Sequence, residues 1–342
     1  MEHSTLQLLW YLVIGISMMM YTILDGFDLG VGALHLLARN DYERRVFLNS
    51  IGPVWDGNEV WLVIIVGGLF AGFPQVYATV FSGFYTLLTL LIACYMFRAV
   101  AIEFRSKQEH LKWRLLWDVV FAITSILIAF IIGLGLGNFV IGLPINSDFE
   151  FVGTLGMFFR PYAILVGLTG FSLFTMHGAI YLLMKTEGAV HKHVRTWIYP
   201  IITTFVGLYT LTTITTVLTY PHMLQRLLDH PWVFIIPGVA LLTILNVVWQ
   251  VQRNRNGWAF LSSSFSIILL LSVYGLGTFP YLVRSTIDPE KNSITVYNDA
   301  SSSLTLKILL IMVAIGIPLV LSYTYYTYRI FRGKVKIEHT SY

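Results

Sequence analysis

Charge is what this sequence has least of. Asp, Glu, Lys and Arg make up 12% of its 342 residues, while 56% are hydrophobic. That is about half the charged share of an ordinary soluble domain, and it excludes one. Cysteine is scarcer still. Cys94 stands alone inside an apolar run, so an internal disulfide and a thiolate metal cluster are both excluded. A phosphate-cradling loop is missing too, because the glycines of "LGLGNFVIGLP" (134–144) are not followed by Lys-Ser/Thr. Glycines in such a run predict close helix packing instead. The net charge of +4 requires no nucleic-acid partner. The first apolar run has no basic n-region and no A-x-A-like site, so it reads as a retained helix rather than a cleavable signal peptide.

What is present is a series of apolar stretches, each of about 20 to 30 residues. About 20 such residues cross a bilayer as a helix, and these runs are unbroken rather than alternating, which rules out a barrel. The sequence predicts an all-α polytopic membrane protein forming one domain over 1–342. Nine spans are expected, at 6–37, 53–73, 78–103, 115–140, 159–184, 198–220, 231–250, 258–283 and 304–331. The longest external loop is 284–303. Sorting the 22 Lys and Arg by side checks this count. Arg39, Arg44, Arg45, Arg98, Arg105, Lys107, Lys112, Arg114, Lys185, Lys192, Arg195, Arg253, Arg255, Arg329, Arg332, Lys334 and Lys336 fall on one side, seventeen in all. Arg160, Arg226, Arg284, Lys291 and Lys307, five, fall on the other. By the positive-inside rule the amino terminus lies outside and the carboxyl terminus in the cytoplasm.

Against that background four acids stand out. "YTILDGFDLGVG" (21–32) carries Asp25 and Asp28, and "GPVWDGNEVWLV" (52–63) carries Asp56 and Glu59. Each pair is spaced i, i+3 and so shares a helix face. All four fall in the cytoplasmic half of two consecutive spans, with Asp56 nearest the surface and Asp25 one turn deeper than Asp28. A single acid could be structural, paired with Arg98 at the same level or hydrogen-bonded across helices. A group of four points further, because intramembrane carboxyls usually face a bundle interior or water and mark ion or proton routes. Crowded, desolvated carboxyls can exchange protons near neutral pH. A sodium site is the other chemistry open to them.

The histidines do not match a haem site. His3, His110, His191, His193, His222, His230 and His339 are assigned to loops or tails, leaving His35 and His177 inside spans at unequal depths. His177 could serve as a lone axial ligand but reads better as a hydrogen-bonded structural residue. Ten methionines scattered through apolar segments read as packing. Most of the aromatics, 15% of the chain, read as interfacial belts, and some could line a crevice for a lipid tail or quinone.

"DGFDLGVG" (25–32), "RNDYERRVFLNSIGPVWDGNEVWL" (39–62), "FSGFY" (81–85) and "FRSK" (104–107) resemble subunit II of the cytochrome bd quinol oxidases, and Asp118 in "WRLLWD" fits the same family. The match is dense over the first 140 residues and rests on hydropathy in the last 150. The resemblance implies a bacterial cytoplasmic-membrane heterodimer with a subunit I that carries haems b558, b595 and d and the quinol site. A small single-span subunit often accompanies the pair. It implies a complex that oxidises quinol, reduces O₂ to water and takes the protons from the cytoplasm, building a gradient without pumping. It implies no haem ligand and no metal in this chain, a structural quinone in some members, and a proton route through Asp25, Asp28 and Asp56. The family varies between Gln and Glu at Glu59, and His177 matches no family motif.

The expectation from residues and resemblance together is that Asp56 collects protons and that Asp28 and then Asp25 relay them. Glu59 is an extra station and Arg98 the candidate ion-pair partner. A proton- or sodium-coupled secondary transporter is the alternative; it would be expected to repeat its acids in two matching halves, and no acid motif recurs after residue 62. A pure scaffold subunit would lose only stability with its carboxyls.

Overall fold

The computed structural model describes residues 2–337; His339 and the rest of the tail lie outside the described residues. The chain is a helical bundle. Its elements are α1 (His3–Leu34), α2 (Asp41–Ile51), α3 (Trp55–Gly72), α4 (Pro74–Gly83), α5 (Tyr85–Phe104), α6 (Leu111–Ile141), α7 (Pro161–Lys185), α8 (Gly188–Thr219), the short α9 (Gln225–Asp229), α10 (Ile235–Gln252), α11 (Asn256–Thr278), the one-turn α12 (Pro289–Asn292) and α13 (Ser303–Ile330). Among the described residues eight helices are long and apolar enough to cross a membrane. A ninth span results if α2 and α3, bent by 49°, count as one. This agrees with an all-α polytopic membrane fold.

Several boundaries differ from the sequence reading, for local reasons. Residues 41–51 are not a loop. Asn40 caps α2 by accepting from the Glu43 N–H at 2.9 Å, and Glu43 reaches back to the Arg39 N–H at 2.8 Å. The expected span 78–103 is broken at Gly83–Phe84, so α4 and α5 are separate helices. The last span but one ends at Thr278, after which Tyr281–Val283 forms strand β1, paired antiparallel with β2 (Ile294–Thr295). The loop 284–303 is therefore partly structured. Helix α8 begins ten residues earlier than expected, so His191 and His193 are helical rather than in a basic loop.

Helix α7 is central, packed against α1, α6, α8 and α11, while α3 lies on α1, α5 on α6 and α10 on α11. Small residues allow the tightest crossing. A Cβ on Gly178 of α7 would lie 2.5 Å from the carbonyl carbon of Gly30 on α1, closer than two such atoms approach, so both positions need glycine. One core cluster joins Phe27, Phe47, Tyr181 and Phe205; another, towards the opposite end, joins Trp10, Phe73, Phe84 and Phe158.

Side-chain contacts define the two ends. At one, Arg105 and Arg114 meet Asp41, His193 meets Glu43, Arg195 binds the Val251 carbonyl and Lys185 the Phe331 carbonyl. At the other, Gln7 binds the Tyr297 carbonyl, Arg160 the Gly142 carbonyl and His222 the Val140 carbonyl. Asp299 accepts at 2.8 Å from both Gln75 N–H and Val76 N–H, capping α4 from the distant loop. Burial raises the Asp299 carboxyl above its ordinary range, and the two N–H groups oppose that. Loops separated along the chain thus meet at each end of the bundle.

Candidate functional site

The i, i+3 acids of α1 sit where that helix packs on α3 and where Arg98 reaches across from α5. Asp25 and Asp28 are fully buried, and so is Arg98, which α5 points inward. The Arg98 guanidinium spans two helices: Nη2 lies 2.8 Å from Asp25 Oδ1 and Nη1 lies 2.7 Å from Glu59 Oε1. Glu59 retains 22% of its side-chain exposure, and Asp56, in the first turn of α3, is exposed. From the cation-rich end inward, exposure falls from Asp56 to Glu59 to Asp25. Asp56 also lies where the unpaired N–H groups of α3 favour a negative charge.

Asp28 lies on a separate branch. Its Oδ2 accepts from Asn58 Nδ2 at 2.7 Å, and Asn58 Oδ1 accepts from the Tyr328 hydroxyl of α13 at 2.9 Å. Its Oδ1 is buried and without a hydrogen-bond partner, as are both Asp25 oxygens, whose contact with Arg98 is an ion pair. Asp25 and Glu59 thus share one guanidinium, which cannot itself give up a proton, and Asp28 adds a third carboxyl beside them. An acid excess of this kind in a desolvated site is what proton exchange requires. It also disfavours a sodium site, since Arg98 already holds the position between Asp25 and Glu59 that a metal cation would need.

A second buried cluster was visible in the sequence only as a motif residue. Asp118 of α6 is fully buried. Its Oδ1 meets His35 Nε2 and Arg105 Nε, each at 2.5 Å; its Oδ2 meets Arg44 Nη1 at 3.0 Å and Arg105 Nη2 at 3.3 Å. Arg105 then reaches Asp41 at 2.7 Å, as does Arg114 at 2.8 Å. Four donors fill a carboxylate, so Asp118 ties α1, α2, α5 and α6 together.

The two intramembrane histidines are held by neighbouring side chains and carbonyls. His177 bonds the Ser263 hydroxyl at 2.8 Å through Nδ1 and the Ile23 carbonyl at 3.0 Å through Nε2, stacked on Phe260. Both ring nitrogens are thus hydrogen-bonded. His35 Nε2 is committed to Asp118, and His35 sits against Phe121.

Towards the opposite end is an apolar cavity of about 820 Å³, walled by α1, α3, α4, α6 and α11. Gly15, Met18 and Leu136 are among its lining, Arg226 and Arg284 stand within it, and no carboxylate does. The sequence named no particular crevice.

The model of the family "Cytochrome bd terminal oxidase subunit II" matches residues 6–331. The chain is 30% identical over 368 residues to the cytochrome bd-I ubiquinol oxidase subunit 2 of Escherichia coli K12, covering 98% of this chain and 97% of that protein. It is 31% identical over 336 residues to the cytochrome bd ubiquinol oxidase subunit 2 of Bacillus subtilis, covering 97% of each. Its fold is similar to a chain of the bd oxidase from Geobacillus thermodenitrificans, with a TM-score of 0.79, 20% identity, and 96% and 98% of the two chains covered. By the family match over nearly its whole length, this chain belongs to the cytochrome bd terminal oxidase subunit II family.

Proposed function

We propose that this chain is the subunit without haem ligands in a bacterial cytoplasmic-membrane quinol oxidase, and that it carries protons from the cytoplasm towards the site of oxygen reduction. The partner is a haem-bearing subunit I that holds haems b558, b595 and d and oxidises quinol, with a small single-span subunit alongside. The acids joined through Arg98 carry the reading of a route. Asp56 collects a proton at the exposed start of α3, and Glu59 takes it one turn further in. Glu59 and Asp25 contact the same guanidinium, so whichever of them is protonated, the other keeps an ion pair. Arg98 thus couples the two acids and transfers nothing itself. Asp28 exchanges protons on the branch through Asn58. This order differs from the linear Asp56–Asp28–Asp25 relay expected from spacing, because Asn58 rather than Asp25 holds Asp28. The excess of Lys and Arg at the end nearer Asp56 supports the cytoplasmic assignment of that end.

The apolar cavity is the place in this chain for a lipid tail or a structural quinone. Its size falls in the range of ordinary ligand sites, and its two arginines lack an acid partner within it.

The test is to tag the chain in its native membrane, purify it in mild detergent, and record a gel with a reduced-minus-oxidised visible spectrum. A second polytopic chain with b- and d-type haem bands is expected. A colourless chain that purifies alone and supports ion-coupled uptake would overturn the reading in favour of a transporter.

A further inference from the structure

Asp25 is buried, so a route that ends there has no outlet. On its deeper side two tyrosines meet. Tyr21 of α1 and Tyr95 of α5 share a hydrogen bond between their hydroxyls. Tyr21 precedes Asp25 by four residues on α1, and Tyr95 precedes Arg98 by three on α5. Both helices run so that each tyrosine lies one turn, about 5.4 Å, beyond the Asp25–Arg98 pair, away from the cation-rich end. The Tyr21 hydroxyl has Asp25 as an electrostatic neighbour, and that of Tyr95 has Asp25 and Arg98. Tyr21 is buried, whereas Tyr95 is half-buried between the exposed Ile92 and Met96. A buried hydroxyl ordinarily finds a carbonyl or water partner; here two phenols face each other beside an acid, at the point where the acids run out.

We infer that the Tyr21–Tyr95 hydroxyl pair continues the proton route one helical turn beyond Asp25 and brings it to the α1/α5 face, where a group on the partner subunit accepts the proton. The inference rests on the proposed route through Asp25. Each hydroxyl gives up its own proton to the next acceptor as it takes one from the previous donor, so the pair gains and loses nothing over a cycle and no oxidant is needed. Phenol hydroxyls serve as well as water in such a chain, because each both donates and accepts. Loss of either hydroxyl breaks the chain and leaves the ring packing in place, which separates conduction from structural support.

The experiment compares Tyr21→Phe, Tyr95→Phe and Asp25→Asn in the assembled, haem-loaded complex. Quinol-driven oxygen consumption is measured against pH in H₂O and D₂O, and the haem spectrum and melting temperature are recorded for each. Both Phe variants are expected to keep the spectrum and the melting temperature but to lose turnover by about 100-fold, the lower end of what a positioned proton-transfer group contributes. The loss should deepen as pH rises and protons become scarce, with a larger solvent isotope effect than in the unaltered complex. Normal turnover in both Phe variants beside a slow Asp25→Asn would overturn this extension and leave the route to Asp25 standing. Normal turnover in Asp25→Asn would overturn the route itself. Slowing in the Phe variants that tracks a lowered melting temperature, with an unchanged isotope effect and pH profile, would overturn conduction in favour of packing.

Discussion

Two buried carboxylate clusters lie within the same bundle, and they differ in how many donors each acid receives. Asp118 accepts from His35, Arg44 and twice from Arg105, which fills both oxygens. Asp25 shares Arg98 with Glu59, and Asp28 accepts from Asn58 alone and keeps an oxygen that no hydrogen bond satisfies. A saturated carboxylate cannot take a proton without losing a donor, and each lost donor leaves a buried charged group uncompensated. An under-satisfied one has room for a proton and gains a donor O–H when it takes one. The first arrangement fixes helices; the second suits exchange. Both kinds of acid sit in the part of the sequence densest in family motifs, so motif membership alone does not separate anchoring from proton work. The donor count does.

The largest effect expected from breaking this contrast is on stability. Asp118→Asn takes one charge partner from the partly exposed Arg44 and from the buried Arg105, which keeps Asp41, a loss of roughly 1–3 kcal/mol. Its measure is the yield and melting temperature of the assembled complex, both expected to fall sharply. Asp25→Asn should do the reverse, keeping assembly and haem spectrum while slowing turnover by about 100-fold or more. Asp28→Asn, on the side branch, should slow turnover less than Asp25→Asn under the same assay. A result in which Asp118→Asn slows turnover at unchanged stability would collapse the distinction between the clusters.

Much of this was legible before any coordinates. The nine apolar runs, the two faces and the four acids follow from hydropathy and from the positions of Lys and Arg, which a lipid environment constrains strongly. The pairing of Arg98 with an acid was open to inference because both lie at one depth. The Asp118 cluster was not, because its partners lie 13 to 83 residues away and no periodicity joins them. Helix α2 was missed because its charged residues lower its hydropathy, although Asn40 and Glu43 carry the usual signature of a helix start. Tyr21 and Tyr95 were hidden among 19 tyrosines; only their hydroxyl contact between α1 and α5 sets them apart.

Two smaller effects sharpen the contrast from outside both clusters. Gly15 faces the apolar cavity with nothing within 4 Å of where its Cβ would be, so Gly15→Phe should fill that space at little cost to folding. Lipid extracts of the purified complex, read by mass spectrometry, should then lose a bound lipid or quinone that the unaltered complex retains; identical extracts would remove the cavity as its site. Asp299→Ala strips the cap from α4 and is expected to cost about 1 kcal/mol, read as a small drop in melting temperature with turnover unchanged.

The most direct test of the central claim is proton uptake itself. The fully reduced complex, in vesicles with the cytoplasmic face outward, is mixed with O₂, and the pH of the outer medium is followed through one turnover for the unaltered protein and for Asp25→Asn. Uptake slowed in step with oxygen reduction, with the haem bands intact, is the predicted result. Uptake at the unaltered rate in Asp25→Asn would contradict the account and return Asp25 to the role that Asp118 holds, a structural acid.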